Sequence, residues 1–188
     1  MKNRNLCDNI RSSFVILMKA QKGGSAMGRS QYIDEQFNKK YDVYSNMLYR
    51  ICMMYLKNPT DVEDAMQDIF IKLLYSASKF KTDDDEKRWL VRVTINVCKD
   101  HIKQYWNKKT VPIEAACEIS RFPETNELHN LIMKLPEKYR TVIFLHYTEG
   151  FSIEEISKIC LVGLSAIKMR LVRGREMLKK EMEEQGYE

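Results

Sequence analysis

Glycine and proline are scarce in this chain, which has seven glycines and four prolines among 188 residues. Runs of alternating β-branched residues, the usual signal of strands, are also rare, and helix-forming residues dominate. The sequence therefore predicts an all-α fold. A hydrophobic content of 44% is enough for modest cores, in one domain or in two small ones.

Cysteines are few, odd in number and scattered, and no CxxC motif occurs. The five positions are Cys7, Cys52, Cys98, Cys117 and Cys160. This usage favours a reduced, cytosolic protein over a disulfide-rich one. Cys98 and His101 share a helix face at a spacing found in zinc sites, but no second half-site accompanies them, so a structural role is favoured. No apolar run approaches the ~20 residues that a membrane-spanning helix needs.

The first 26 residues allow two interpretations. Residues 14–18 are apolar and lie between Arg11 and Lys19, but this run is too short for a signal peptide. Alternatively, Lys-Gly-Gly at residues 22–24 can be encoded by AAA-GGA-GGN, which resembles a bacterial ribosome-binding site upstream of Met27. We therefore expect Met27 to be the natural start and residues 1–26 to be largely translated leader, within an amino-terminal extension over residues 1–29.

Two helices are predicted in the next segment. Residues 36–56 have an apolar helical face, which ends at Asn-Pro-Thr, because proline disfavours helix in the residue before it. Thr60 or Asp61 is expected to cap a second helix over residues 61–76. The outward side chains of that helix are Asp61, Asp64, Gln67, Asp68 and the partly exposed Ile71. An ordinary solvated face, matched to the helix dipole, explains these acids as well as a binding surface does.

Residues 80–88 are expected to form a polar loop. The loop contains four consecutive acids, residues 83–86. Consecutive carboxylates in a flexible loop cannot all face one ion. The segment also lacks the spacing of acidic residues that EF-hand calcium-binding loops have. We therefore predict no metal site here.

A third helix is predicted over residues 89–106, with a cationic stripe on its outer side. The stripe consists of Arg88, Arg92, Asn96, Lys99 and Lys103, and it is less than a quadrant wide at about 100° per residue. Cations suit phosphates, a central amide suits a base edge, and the aromatic residues at both ends suit stacking. The stripe indicates a nucleic-acid surface, with a solvated helix face as the alternative.

Residues 110–124 carry two prolines and no long period, which indicates a linker. A short helix is predicted over residues 127–135, and Pro136 is expected at the first position of a helix that ends at Gly150. Residues 151–180 then have the pattern of a helix-turn-helix. Ser152 and Glu155 predict a capping box for its first helix.

The second helix of the pair is unusually basic. Gly163 is expected to permit the turn before it and Ser165 to cap it. Its buried stripe is predicted at Ile167, Leu171, Gly174, Leu178 and Met182, and its cations are Lys168, Arg170, Arg173, Arg175, Lys179 and Lys180. Lys168 lies in the first turn, where the dipole disfavours a cation by roughly 0.3–1 kcal/mol. This pattern favours a recognition helix in a major groove over a plain solvated helix.

Four segments together resemble the extracytoplasmic-function (ECF) sigma factors of bacterial RNA polymerase. They are DVEDAMQDIFIKLL (61–74), RWLVRVTINVCKDHIK (88–103), LPEKYRTVIFLHYTEGFSIEEISKI (135–159) and IKMRLVRGREML (167–178). They occur in the order and with the gaps of that family, over about residues 30–183. The resemblance implies two small helical domains, region 2 over residues 30–106 and region 4 over residues 125–184, joined by a flexible linker over residues 107–124.

The resemblance also implies functional residues in the first domain. Docking on the β′ coiled coil of core RNA polymerase is implied for Asp61, Asp64, Gln67, Asp68 and Ile71. Recognition of the promoter −10 element is implied for Phe80, Lys81, Arg88, Trp89, Arg92, Asn96, Lys99 and Lys103. The loop would capture a flipped base beside Asn96. Family loops usually hold an aromatic residue just before the tryptophan, where this chain has Glu86-Lys87-Arg88.

In the second domain, the resemblance implies contacts with the β flap and with the promoter −35 element. The implied −35 residues are His146, Lys168, Met169, Arg170, Val172, Arg173 and Arg175. Ser165-Ala166 replaces the family's usual Gly-Thr, and Gly174 replaces a common alanine at ~1 kcal/mol in helix propensity. The implied partners are core polymerase, promoter DNA and an anti-sigma factor, with no cofactor, metal or small-molecule substrate.

Two rival functions remain at this point. A free-standing helix-turn-helix regulator would need a dimer interface or a ligand pocket, and no heptad run or glycine-rich cradle occurs in the sequence. An enzyme would need a His, Cys or Lys converging on the acids of residues 61–68 or 83–86, and none accompanies them.

Overall fold

The computed structural model describes residues 27–56, 58–76, 80–108 and 127–186. Every regular element in these ranges is an α-helix, as the composition predicts. The predicted leader, residues 1–26, and most of the predicted linker lie outside the described residues. None of the described helices has the length and hydrophobicity that crossing a membrane requires. The chain divides into two units, Met1–Ala116 and Cys117–Glu188.

The first unit contains three helices that pack against one another: α1 (Met27–Tyr55), α2 (Pro59–Ser76) and α3 (Asp83–Lys108). Its core is formed by fully buried aliphatic and aromatic side chains, among them Leu48, Met66, Ile69, Phe70 and Leu90. An aromatic cluster joins α1 to α2, with ring centroids 4.7 Å apart for Tyr41 and Phe70 and 5.7 Å apart for Phe37 and Phe70. The helical periodicity in the sequence predicts Leu48, Met66 and Ile69 on the inner side. Phe70 and Leu90 lie outside the predicted stripes, and Tyr105, predicted on the inner side of α3, is 43% exposed.

Three helix boundaries in the first unit differ from the sequence prediction. Helix α1 begins at Met27 rather than at residue 36, and α3 continues to Lys108, two residues into the predicted linker. Helix α2 begins at Pro59, and its cap is neither Thr60 nor Asp61. The Thr60 N–H donates to Asn58 Oδ1 at 3.1 Å, because asparagine is a strong capping residue and proline suits the first helical position.

The predicted polar loop over residues 80–88 is wrong from Asp83 onward. Helix α3 begins there, and the Asp85 N–H donates to Thr82 Oγ1 at 3.1 Å. A threonine cap followed by carboxylates in the first turn is a favourable start for a helix, because the unpaired N–H groups and the dipole attract negative charge. The acidic run therefore starts a helix.

The second unit contains four helices: α4 (Glu127–Lys134), α5 (Glu137–Tyr147), α6 (Ile153–Cys160) and α7 (Leu164–Glu184). Leu131, Val142, Leu145, Ile156 and Ile167 are buried between them. Pro136 is the residue before α5 rather than its first residue, and α5 ends at Tyr147. Gly150 follows with a φ of +74°, a left-handed conformation that glycine adopts without strain.

The capping box at the start of α6 is confirmed. The Glu155 N–H donates to Ser152 Oγ at 3.1 Å, and the Ser152 N–H donates to Glu155 Oε2 at 2.9 Å. The turn that follows differs from the prediction. Leu161, with a φ of 55°, takes the left-handed conformation, whereas Gly163 has a φ of −56° and is the N-cap of α7. Ser165 lies inside the first turn and does not cap the helix.

Helices α5 and α7 approach closely at Gly174. A Cβ atom there would lie 2.8 Å from Ile143 Cγ1 and 3.1 Å from Ile143 Cδ1. Real Cβ contacts are longer, so a larger residue would force the two helices or the isoleucine to shift. The close packing of α5 and α7 therefore requires a residue without a side chain at position 174, despite the low helix propensity of glycine. The sequence alone did not indicate this requirement.

Candidate polymerase and nucleic-acid interfaces

Helix α2 has an acidic outer face opposite its buried stripe. Asp64 and Asp68 are exposed, and Asp61, Gln67 and Ile71 are half-buried, whereas Val62, Ala65, Met66, Ile69 and Leu73 on the other side are buried. The five predicted docking residues thus share one face. Tyr75 extends this face, because it follows Asp64, Asp68 and Ile71 at helical spacing and is 75% exposed. The same spacing in the sequence could have identified it.

Asp68 of this face has a partner on another helix. His101 Nε2 of α3 lies 3.1 Å from Asp68 Oδ2.

Cys98, one turn before His101, is buried against Cys52 of α1. The hydrogen bond with Cys98, together with burial, raises the pKa of the Cys52 thiol. The two residues with zinc-like spacing therefore contact different partners. No group of three or more His, Cys, Asp or Glu among the described residues is arranged to hold a metal ion.

The outer stripe of α3 is a solvent-facing surface over most of its length. Asn96, Lys99 and Lys103 are exposed, and Arg88 and Arg92 are half-buried. Arg88 Nη2 donates to Asp85 Oδ1 at 2.8 Å. This hydrogen bond, with that from Thr82, lowers the pKa of the Asp85 carboxyl. The Arg88 guanidinium is therefore shared with an acid of its own helix.

Two aromatic residues meet at the start of this stripe. The ring centroids of Phe80 and Trp89 are 5.0 Å apart with an angle of 52° between the planes. Both side chains are half-buried, and Lys81 beside them is exposed. The structure thus places Phe80, Lys81 and Trp89 together at the amino-terminal end of α3.

Glu86 contributes nothing to the acidic surface of α3, since it is buried. Its carboxylate forms an ion pair with Lys40 of α1 and accepts a hydrogen bond from the Tyr44 hydroxyl. Burial and the nearby Glu86 charge raise the pKa of Tyr44 to about 12. Sequence reasoning missed the contacts of Lys40 and Tyr44 with Glu86, because both residues lie more than 40 residues before Glu86 in the chain.

The exposed face of α7 is basic mainly in its first half. Lys168, Arg173 and Arg175 are exposed and Arg170 is half-buried. Apolar side chains lie among them, with Met169 51% and Val172 40% exposed. Towards the end of the helix, Lys179 and Lys180 pair with Glu183 and Glu184 at 3.6 Å and 3.7 Å. The positive charge available to a partner is thus concentrated near the amino terminus of α7.

Tyr139 of α5 orients one of these cations. The hydroxyl of Tyr139 accepts a hydrogen bond from the Arg173 guanidinium, which with Lys138 lowers the pKa of the phenol. The Lys138 ammonium also lies 4.9 Å from the Tyr139 ring centroid. Lys138 and Tyr139 therefore belong to the cationic surface of the second unit, although sequence reasoning missed both.

His146 lies at the end of α5 with one ring nitrogen already engaged. His146 Nδ1 is 2.9 Å from the Phe151 carbonyl oxygen. A carbonyl only accepts, so Nδ1 carries the proton and Nε2 is the nitrogen that a further partner can contact. The ring also packs edge-on against Tyr147, at 4.9 Å between centroids.

Comparison with known proteins identifies the family. Two family models match the chain, Sigma-70 region 2 over residues 41–108 and Sigma-70, region 4 over residues 125–178. The ECF RNA polymerase sigma factor SigW of Bacillus subtilis is 30% identical over 160 residues, which cover 75% of this chain and 86% of SigW. The chain belongs to the ECF RNA polymerase sigma factors. It is thus a transcription initiation factor that associates with RNA polymerase, rather than a free-standing regulator.

Other relatives agree with this assignment. The ECF sigma factor SigX of Bacillus subtilis is 26% identical over 169 residues, which cover 80% of this sigma factor and 86% of SigX. Two solved structures share its fold. The Bartonella quintana RpoE in complex with the anti-sigma factor NepR has a TM-score of 0.65 at 20% identity, covering 79% of this chain and 98% of that chain. CnrH in complex with the cytosolic domain of CnrY has a TM-score of 0.59 at 21% identity and covers 96% of each chain.

Proposed function

We propose that this sigma factor docks on core RNA polymerase through the outer face of α2. The face consists of Asp61, Asp64, Gln67, Asp68 and Ile71, with Tyr75 as an added aromatic contact. Exposed acids around a large apolar side chain suit a basic protein surface, and aromatic residues are enriched among the strongest interface contacts. The β′ coiled coil is the partner that the family resemblance implies for this helix.

The outer stripe of α3 is proposed to bind the promoter −10 element. Asn96, the exposed amide between cations, would contact a base, and Lys99 and Lys103 would hold phosphates, together with Arg92. Phe80 and Trp89 would stack on single-stranded bases, with Lys81 and Arg88 alongside. Because Asp83, Asp84 and Asp85 begin α3, a base-capturing loop is limited to the residues before Asp83.

The first half of α7 is proposed to read the −35 element in the major groove. Lys168, Arg170, Arg173 and Arg175 supply cations for guanine edges and phosphates, and Met169 and Val172 supply apolar contacts. His146 would lie beside the phosphate backbone at this end of the surface. The β flap is the polymerase element implied for this unit.

The two DNA contacts work together because polymerase fixes their separation. Each contact alone is weak, but once the first has formed, the second becomes intramolecular and gains a high effective concentration. Flipping a base costs a few kcal/mol. Stacking at ~1–3 kcal/mol per base can offset this cost without ATP. The sigma factor itself does no bond chemistry, and nucleotidyl transfer belongs to the polymerase.

An anti-sigma factor is the proposed regulatory partner. RpoE, which shares the fold, was solved in complex with the anti-sigma factor NepR, and CnrH was solved in complex with the cytosolic domain of CnrY. Such a protein would cover the outer faces of α2 and α7 and thereby compete with polymerase. We place the sigma factor in the cytoplasm, at the nucleoid when active and at the membrane when an anti-sigma factor holds it there.

Run-off transcription tests the proposed function directly. Purified core polymerase, with and without the full chain, is supplied with a library of genomic promoters, and the transcript start sites are mapped. We expect new start sites that share −10 and −35 elements. If the chain adds no start site, the proposed function is wrong.

A further inference from the structure

The most outward line of α7 is apolar at its centre and polar at its ends. At 3.6 residues per turn, Ser165, Met169, Val172 and Glu176 lie nearly above one another, opposite the buried Ile167, Leu171 and Gly174. Met169 and Val172 are the central pair of this line, and both are substantially exposed. Lys168 lies on one side of the line and Arg173 on the other. The cations thus flank an apolar centre.

This arrangement has a physical consequence for the kind of DNA that fits. When a helix enters the major groove, its most outward side chains meet the base edges and the flanking cations meet the phosphates. Methionine and valine offer no hydrogen bond to a guanine or an adenine edge. The apolar group that the groove offers them is the 5-methyl group of thymine.

We propose that Met169 and Val172 read thymine methyl groups at two neighbouring base pairs of the −35 element. This inference rests on the proposed function of α7. Residues three apart on a helix are about 4.5 Å apart along its axis, close to the ~3.4 Å between successive base pairs. Lys168 and Arg173 hold the phosphates on the two sides of the groove.

Replacing thymine by deoxyuridine tests the proposal without altering the protein. A promoter from the run-off library is synthesised with each −35 thymine, one at a time, replaced by deoxyuridine, which keeps base pairing and lacks only the methyl group. The apparent Kd of the holoenzyme, core polymerase with the full chain, is measured for each duplex. At two neighbouring positions we expect the Kd to rise about threefold to fivefold per methyl group removed.

Variants of the protein connect each methyl group to a side chain. In Met169→Ala, the deoxyuridine effect should disappear at one position, and in Val172→Ala it should disappear at the neighbouring one. Met177→Ala is the matched control, because Met177 is an exposed methionine on the same helix but off the outward line. It should keep both deoxyuridine effects.

Three results would overturn the proposal, and they differ from failure of the proposed function. Selected −35 elements could lack neighbouring T·A pairs, deoxyuridine could leave the Kd unchanged everywhere, or its effect could persist in both alanine variants. Met169→Ala could also leave DNA binding unchanged and weaken the binding of core polymerase or an anti-sigma factor. That result would assign the apolar pair to a protein partner. In contrast, a holoenzyme that finds no promoter at all rejects the function itself.

Discussion

Gly174 lies where α7 passes closest to α5, and its missing side chain leaves room for Ile143. In Gly174→Ala, the added Cβ would lie 2.8 Å from Ile143 Cγ1. Overpacking of this kind typically costs about 1–3 kcal/mol, more than the ~1 kcal/mol that alanine gains in helix propensity. We therefore expect a lower free energy of unfolding, measured by urea denaturation of the full chain with far-ultraviolet circular dichroism.

Two controls separate the contact with Ile143 from a general effect. In an Ile143→Ala background, Gly174→Ala should be neutral or stabilising, because the atoms that it meets are gone. Both tryptophans, Trp89 and Trp106, lie in the first unit. Tryptophan fluorescence should therefore report an unchanged transition. A more stable Gly174→Ala protein with Ile143 intact would contradict the packing argument.

Tyr44 makes stability depend on alkaline pH. Its folded pKa of about 12 exceeds the ordinary value of 10.0, so the folded state holds this proton more tightly than the unfolded chain does. The resulting stabilisation is complete below pH 10 and is lost as the pH rises towards 12. In Tyr44→Phe, the free energy of unfolding should fall less steeply between about pH 10 and 11.5 than in the wild type.

The measurement is urea denaturation at several pH values in that window. Tyr75→Phe is the matched control, because Tyr75 is largely exposed at the end of α2, and it should reproduce the wild-type slope. Equal slopes for Tyr44→Phe and the wild type would show that the Tyr44 proton is not linked to folding.

At the scale of the helices, one buried ion pair joins α1 to α3. Lys40 is the cationic partner of Glu86, whose side chain is 6% exposed. Lys40→Met would leave this carboxylate without its cation, and an undercompensated buried charge is expensive. We expect a loss of about 2 kcal/mol in the free energy of unfolding, measured by tryptophan fluorescence in urea.

The neighbouring lysine supplies the control for this experiment. Lys39 is exposed on the same helix, so Lys39→Met should change stability by less than about 0.5 kcal/mol. The double variant Lys40→Met/Glu86→Leu should recover most of the loss, because an apolar pair can replace a buried ion pair. A double variant as unstable as Lys40→Met would instead indicate a packing role for the lysine.

Two surfaces of the whole molecule are predicted to act at different steps of initiation, beginning with polymerase docking. Asp64→Lys reverses the charge at the centre of the outer face of α2. We expect the affinity for core polymerase to fall on the order of tenfold, and more strongly at low salt. Glu63→Lys is the matched control, one residue away and about 100° around the helix. Equal binding by both variants would exclude this face from docking.

The outer stripe of α3 is predicted to act at the melting step. Asn96→Ala should slow open-complex formation more than it weakens initial promoter binding, because an extruded base is available only during melting. Lys103→Ala is the comparison. Loss of its phosphate contact should weaken initial promoter binding. It should also reduce the slope of the logarithm of the binding constant against the logarithm of salt concentration by about one. Permanganate footprinting and filter binding measure the two steps, and equal losses for Asn96→Ala would contradict a base contact.

Much of this architecture could be read from local patterns. The capping box at Ser152 and Glu155 and the buried stripe of α7 depend on residues within a few turns of one another. The capping box was predicted correctly. The stripe was predicted correctly at Ile167, Leu171 and Gly174, whereas Leu178 and Met182 are half-buried. The error at residues 80–88 arose because four acids resemble a solvated loop, although behind Thr82 they begin a helix. Asn58 was missed as a cap because Thr60 and Asp61 are equally good capping residues by type.

Periodicity, caps and motif order were enough to predict the all-α fold, two units and the family, because they are short-range features of the chain. The tertiary structure sets the surroundings of particular side chains. It buried Glu86 against Lys40, 46 residues away, placed Gly174 against Ile143, and joined Arg173 to Tyr139. These contacts depend on how separate helices pack, and packing is set by the whole core rather than by any local pattern.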